Sequence, residues 1–585
     1  MAASSPGRGG GVPVRENWCL RRRVPQAWLE QIAPLGLDPL LARVLYARKL
    51  DTPEQIAAFL SDEGELGDPF LLAGMREAVD RLCRALDEGQ QIVVYGDFDA
   101  DGVCATALLV SALKALGGRV SPYIPDRFDE GYGLNEDALT WLQGQGAQVL
   151  VTVDSGVRSL REAAHGQMLG LDIIITDHHS LGAELPSAVA VINPKRPDCG
   201  YPFKELAGVG VAYRLVEALF CDIRQRSSSG PGCEQYLDLV ALGTVADIVP
   251  LCAENRLLVQ RGLGRLRAAP RPGVRALMEV ARVMPDKVGS QDIAFRLGPR
   301  LNAAGRLASA MLAYDLLMSD DESQAQRLAT ELNALNEQRQ QLLEAQVSKA
   351  RQLLGEADGR TLLFVAGEGF HEGIVGLVAS CLTDGFYLPS LVMCRGAETT
   401  RGSARSIEGF HITQALDHCA DLLSRYGGHA RAAGFTLANE NLAEFRTRLA
   451  AYSAQHLPGE ILGRRHMVDT IVTLDELSLQ TATALAPMEP TGEGNPEPAL
   501  ATLGLTIAGL RVVGQDGKHL RLDLSDGRRR CQAIAFRQGY WMQELKTGER
   551  IDIIYRPSLN EWQGEVSLQL VVEVIRKSAD ASGHG

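Results

Sequence analysis

Three carboxylates, Asp97, Asp99 and Asp101, alternate within Tyr95-Gly96-Asp97-Phe98-Asp99-Ala100-Asp101-Gly102, directly after the apolar run Gln91–Tyr95. Two further apolar runs end in acids: Val151-Thr152-Val153 leads into Asp154-Ser155-Gly156, and Ile173-Ile174-Ile175-Thr176 into Asp177-His178-His179. A fourth candidate, Asp247, stands in Gly243-Thr244-Val245-Ala246-Asp247-Ile248-Val249-Pro250. Gathered carboxylates repel: two of them 4 Å apart oppose each other by about 4 kcal/mol at an effective dielectric near 20. Arg and Lys are missing from the three signatures, while the histidines beside Asp177 offer neutral nitrogen, so a divalent cation is the economical counter-charge. Oxygen-rich ligands with one imidazole suit Mg²⁺ or Mn²⁺, whereas structural Zn²⁺ would want thiolates. Four or more acids favour two ions, which activate water and clamp a transferring phosphoryl group.

One Asp after a strand is by itself a turn residue or helix cap. A Ca²⁺ loop is excluded for the alternating acids, because the position that needs Glu would be Leu108, inside an apolar helix. The joint pattern requires elements that bring the acids together. Short apolar runs at Gln91–Tyr95, Gln148–Val153, Asp172–Ile175 and Val189–Ile192 alternate with helical periodicity, as in Val103 to Leu116, stopped by Gly117 and Gly118. This predicts a parallel sheet with helices on both faces, whose C-terminal strand ends share one edge. Residues 1–69 read as a loose leader and short helices packing on the domain after them, and 70–318 as the acid-bearing α/β domain. Ser319 to Leu354 contains neither Gly nor Pro, and its leucines keep helical spacing, predicting a connecting helix over 319–356 within one chain. A second α/β domain is expected over 357–460 and a small β-barrel over 464–577.

The chain has 585 residues, 45% hydrophobic and 22% charged, enough for several cores. Its net charge of −13 argues against holding nucleic acid by bulk positive charge, so any polyanion must meet a local basic groove. Eleven cysteines without a C-x-x-C pair point to reduced thiols in a cytoplasm. The segment Met1 to Arg23 lacks a signal-peptide apolar stretch, and no run of about 18 apolar residues reads as a membrane span.

The four acidic motifs, in this order, resemble those of the DHH phosphoesterase superfamily. Arg127 with Gly131-Tyr132-Gly133-Leu134-Asn135, the string Gly298-Pro299-Arg300-Leu301-Asn302-Ala303-Ala304-Gly305-Arg306, Gly402-Ser403-Ala404-Arg405-Ser406 and Gly427-Gly428-His429 are similar to the RecJ family of bacterial single-strand exonucleases, over roughly residues 70 to 575. The resemblance implies metal ligation by Asp99, Asp101, Asp154, His178 and Asp247, with Asp97 a ligand or close neighbour of the metals. Asp154, Asp177 and His179 are implied as catalytic, Asp177 and His179 orienting His178 and the scissile phosphate. Small phosphoesterases of the superfamily carry His where this chain has Tyr95, and Asp97 is the candidate to replace that imidazole.

Hydroxyls and a guanidinium in a Gly-flanked turn suit a phosphate dianion, although such a loop taken alone reads as solvated surface; it is the resemblance that implies Ser403, Arg405 and Ser406, with Gly428 and His429, as the grip on substrate phosphate. Arg127, Arg300, Asn302 and Arg306 are expected to contact the strand from the metal domain, and Tyr132 to stack on a base or fill core. Lys518, Arg521 and Arg528-Arg529-Arg530, near Phe536, Tyr555 and Trp562, suit single-stranded nucleic acid on a barrel that the resemblance makes an OB fold. The implied activity is metal-dependent 5′ to 3′ hydrolysis of single-stranded DNA to 5′-mononucleotides, in recombination and repair. It comes with Mg²⁺ or Mn²⁺, in two ions, and with a single-strand binding protein and a helicase as partners of a cytoplasmic monomer. Two alternatives stay open: a DHH phosphoesterase for short oligonucleotides or cyclic dinucleotides, and a noncatalytic replication scaffold.

Overall fold

The structure is a computed structural model that describes residues 15–578 apart from 128, 132, 228–231, 269–270, 356–359, 458–462, 515–516 and 563–564. The described residues form two compact units, one of residues 61–340 with 489–496, the other of the remainder. None of their helices is long and apolar enough to cross a membrane.

The first unit is built on five parallel strands in the order Arg119–Tyr123, Gln91–Tyr95, Val149–Val153, Asp172–Thr176 and Ala190–Ile192. Successive strand residues face opposite ways. Ile92 and Val94 therefore join one buried cluster, and Val93 and Tyr95 join the cluster on the other face. Burial on both sides explains why these strands are nearly continuous runs of Val and Ile. The strand order reverses between Gln91–Tyr95 and Val149–Val153, and loops leaving that point open a crevice where ligands bind. The first helix, Ala100–Ala115, begins three residues earlier than periodicity suggests. Its start is set by the Asp99 carboxylate, which accepts from the Asp101 and Gly102 amides at 2.9 and 3.1 Å.

Asp247 does not end a strand. It follows the helix Leu237–Ala246, whose residues Leu237 to Val245 are all buried, and a helix enclosed on every side shows no amphipathic period to separate it from a buried strand.

The second unit contains a mixed sheet in the order Leu423–Gly428, Ala432–Ala438, Thr399–Arg405, Ser390–Arg395 and Leu363–Gly367, with the helix Val375–Phe386 beside it. It also holds a closed five-stranded barrel, formed because Leu500–Val513 pairs both His519–Ser525 and Arg550–Trp562. The helices at Gln26–Ile32, Pro39–Ala47 and Pro53–Leu60 do not pack on the domain next to them in sequence. Trp28, Leu40, Leu45 and Ile56 share a core with Met488, Ile553 and Tyr555 of the barrel region, and Arg15–Leu20 runs parallel to Gly463–Val468. The long helix, Glu322–Leu354, uses its stripe within the chain: Ala325, Ala329 and Leu332 lie in the core of the first unit, and Ala350 and Leu354 are buried in the second.

Candidate metal centre

The sheet brings the acids of the first two motifs to adjacent strand ends. Ligand atoms of Asp97, Asp99 and Asp154 lie within 4.8 Å of one another, as do those of Asp101, His178 and Asp247, and those of Asp154, His178 and His179. His178 links the groups, with Nε2 3.1 Å from Asp154 Oδ1 and 3.5 Å from Asp247 Oδ2. All six residues assigned to metal in the sequence thus converge, Asp247 from its helix end. Close approach is made possible by glycine: a Cβ on Gly208 would sit 2.5 Å from Asp154, and one on Gly102 2.6 Å from Asp97. Asp154 itself holds φ +61°, a strained conformation of the kind that collects at functional sites.

The electrostatics call for a cation. Burial, and next Asp99, push Asp97 well above the usual carboxylate range and Asp101 up to about 7. Burial, and next Asp101, raise Asp154 and Asp247 in the same way. Asp97 Oδ1 and Asp247 Oδ2 are buried without a hydrogen-bond donor among the described residues. Oxygen atoms desolvated, crowded and left unsaturated fit one or two hard divalent cations, which would restore the ionised form of each acid. Asp101 is the exception in its surroundings, since its two oxygens accept from the Gly208 and Val209 amides at 2.7 and 2.9 Å.

Asp177 has a different task. Its oxygens accept from the amides of His178, His179 and Val157 at 2.7, 2.9 and 2.9 Å and face His179 Nδ1 at 2.8 Å. Burial works against its charge, yet the His179 bond and the histidine charges hold it down at about 2. Burial pushes the His179 imidazole down, but the bond to Asp177 together with the charges of Asp177, Asp97 and Asp99 outweighs it and raises that imidazole above its ordinary value. Tyr95 is turned away from the acids: its hydroxyl donates to the Gly133 carbonyl at 3.1 Å, and its ring packs 5.1 Å from that of Tyr123.

The string around Asn302 is a buttress. The Asn302 side-chain oxygen accepts from the Ala100 amide at 2.8 Å, and a Cβ on Gly305 would meet the Phe98 carbonyl at 2.3 Å. Arg300 is occupied by Asn333 at 3.0 Å and by the Arg296 carbonyl at 2.7 Å, and Arg306 lies on the same helix, Gly298–Leu307. Arg127 covers the Phe98 ring, Cζ to centroid 4.7 Å, within electrostatic reach of Asp97 and Asp99. Tyr132 lies outside the described residues. Sequence reasoning missed Asn193, which donates to the His179 carbonyl at 2.9 Å, and Lys195, whose charge eases the ionisation of Asp247. Their only signal was their place at the end of the strand Ala190–Ile192.

In the second unit, Ser403 and Arg405 sit in the strand Thr399–Arg405 and not in a turn. Gly402 made the segment look like a turn, but it is glycine because Phe435 and Met393 crowd the position at 2.3 and 2.6 Å from a Cβ. Spaced two apart, Ser403 and Arg405 share a face, joined by a 2.8 Å bond from Nη1 to Oγ. A Cβ on Gly376, in the first turn of the helix Val375–Phe386, would reach that pair at 2.9 and 3.1 Å. A helix amino end, a guanidinium and a hydroxyl thus meet, an arrangement that attracts anions. Gly376 was missed because Gly373-Ile374-Val375-Gly376 carries no polar side chain. Ser406 is excluded from this face: its hydroxyl is spent on the Phe410 carbonyl at 2.7 Å. Gly428 is a packing glycine, where a Cβ would meet the Ala432 carbonyl at 2.3 Å, and His429 is exposed just beyond it. In the barrel Tyr555 is core, bonded to Thr502 at 2.9 Å, while Phe536 is half exposed and Arg529 is paired with Asp475 at 3.0 Å.

Family models match three stretches: the DHH family N-terminal domain over residues 91–244, the DHHA1 domain over 359–455 and the RecJ OB domain over 468–574. The single-stranded-DNA-specific exonuclease RecJ of Salmonella typhimurium is 37% identical over 575 residues, covering 95% of this chain and 98% of that protein. The chain belongs to the RecJ family. A crystal structure of RecJ from Thermus thermophilus in complex with Mn²⁺ superposes with a TM-score of 0.83 at 32% identity, over 98% of this chain and 81% of that one. The same RecJ in complex with Mg²⁺ gives a TM-score of 0.77 at 32% identity, over 97% and 79%. Both ions are the hard divalent type that the acids here select.

Proposed function

We propose that this protein is a metal-dependent exonuclease that hydrolyses single-stranded DNA from the 5′ end and releases 5′-mononucleotides. The observation that carries the reading is the convergence of Asp97, Asp99, Asp101, Asp154, His178 and Asp247 at the reversal point of a parallel sheet, in a chain 37% identical over nearly its whole length to a single-stranded-DNA-specific exonuclease. Asp97, Asp99 and Asp154 would hold one ion and Asp101, His178 and Asp247 another, with Asp154 nearest to both through His178. Bound there, the ions supply neutralising charge and an acidified water for in-line attack on phosphorus.

The chain's own groups do the positioning. Asp177 fixes the two histidines through their amides and the His179 ring, and His179, whose ring it keeps basic, donates to the scissile phosphate. Arg127 contacts the strand beside the first motif. Arg300 and Asn302 serve the reaction by holding the metal-side loop, with Arg306 on the same helix. Ser403, Arg405 and His429 receive the 5′ phosphate together with the amino end of Val375–Phe386, which sets polarity by capturing a terminus. The barrel binds the unpaired strand. The protein acts as a cytoplasmic monomer in recombination and repair, fed by a helicase and in company with a single-strand binding protein. The full set of acids disfavours a noncatalytic scaffold.

A single-stranded oligonucleotide labelled at its 3′ end, incubated with Mn²⁺ or Mg²⁺ and separately with EDTA, tests this directly. The expected result is a metal-dependent ladder that shortens from the unlabelled end. Immediate release of labelled mononucleotide would reverse the polarity, and no cleavage with either ion would overturn the activity.

A further inference from the structure

Directly after Asp247, Ile248 adopts φ +63° and is 70% exposed. A β-branched residue in the left-handed region is a true outlier, and exposure of its apolar surface adds no stability. The surrounding turn holds it there. The Ile248 amide donates to the Val245 carbonyl at 3.4 Å, the Leu251 amide to the Glu493 carbonyl at 2.7 Å, and Asn255 Nδ2 to the Pro250 carbonyl at 3.1 Å. Gly494 is packed so closely on Pro250 that a Cβ would lie 3.0 Å from it.

Ile248-Val249-Pro250-Leu251 has no polar side chain, and three of its backbone groups are already spent on these bonds. This apolar step stands one residue from an acid that faces His178 at 3.5 Å in the metal centre. On its leaving-group side, a phosphate held there is joined through O3′ to the sugar carbon C3′, and C2′ is bonded to that carbon. We infer that Ile248 is the sugar-selective residue of this site: C2′ of the deoxyribose at the scissile phosphate packs against it, and a 2′-hydroxyl would be covered there without a partner. The inference rests on the proposed nuclease reading and adds to it the residue that tells DNA from RNA. Even an enclosing hydrophobic pocket rejects an added hydroxyl by no more than about 100-fold, so partial and tunable discrimination, with that figure as its upper bound, is expected.

The test compares kcat/KM on an oligodeoxynucleotide with that on the same strand carrying one ribonucleotide at its 5′ end. In the wild type the DNA strand is favoured, by up to about 100-fold. Ile248→Asn, whose side chain tolerates positive φ and offers a hydrogen bond, lowers that ratio by about tenfold or more, and Ile248→Gly lowers it in the same direction. Mn²⁺-dependent thermal stabilisation verifies that each variant is folded. A 2′-fluoro nucleotide, compact and without a donor, is processed by the wild type like DNA. A ratio unchanged in a folded variant, or a 2′-fluoro strand rejected as strongly as the ribonucleotide, overturns the assignment. A wild type that cuts the ribonucleotide strand as fast as DNA instead refutes the DNA specificity of the parent reading.

Discussion

At the residue scale the centre separates groups that bear on ions from groups that only hold others in place. Asp154→Ala is expected to abolish turnover while leaving strand affinity, measured by fluorescence anisotropy, within a few fold, because Asp154 contributes to two of the three ligand groupings. Near wild-type cutting by that variant would mean that the assignment to metal is mistaken. Tyr95→Phe should do the opposite. It removes the bond to the Gly133 carbonyl in a buried cluster, costing about 1–2 kcal/mol in chemical denaturation, and leaves Mn²⁺ affinity untouched. The strand parity that points Tyr95 into the core was readable, since it shares a face with Val93 and opposes Val94. Which face carried the metal was not, because that depends on the loop beyond the strand.

At the scale of elements, the helix Gly298–Leu307 supports the first-motif loop from outside. Gly305→Ala would drive a methyl into the Phe98 carbonyl, so metal affinity and activity are expected to fall together by about 10- to 100-fold, as when groups that orient ligands are lost. Titration of Mn²⁺ beside the kinetic assay decides it, and a loss confined to KM would restore the strand-contact role read from the sequence. The parallel strands and the long helix were legible because a buried β-branched run, and apolar residues at helical spacing in a stretch free of Gly and Pro, are local signals; the break in that stripe at Arg339 spoke for a connector within the chain. The helix before Asp247, the strand bearing Ser403 and Arg405, and the strand Leu500–Val513 were not. In each, tertiary enclosure or close-packed glycine erased the period that would have declared it.

For the whole molecule, the raised acids make stability depend on pH in a definite sense. Asp97, Asp101, Asp154 and Asp247 bind protons more tightly folded than unfolded, so in metal-free protein their contribution is fully present below the ordinary carboxylate range. It is lost as pH climbs through the folded values, about 7 for Asp101. Divalent cations replace those protons. Thermal melts from pH 5.5 to 8 should therefore show metal-free protein weakening with rising pH, and the gain on adding Mn²⁺ growing in parallel. A gain that is flat across this range would mean that the acids are not the ions' ligands.

The strap at residues 489–496 completes the metal-bearing unit, where Thr491 and Glu489 bond Ser290 and the Glu493 carbonyl takes the Leu251 amide. Arg15–Leu20 likewise waits for Gly463–Val468. During synthesis both units therefore wait for segments that follow residue 460, and a nascent chain terminated before them would lack the strap of its metal-bearing unit. Removal of everything after residue 460 would likewise unfasten the catalytic half as well as the barrel.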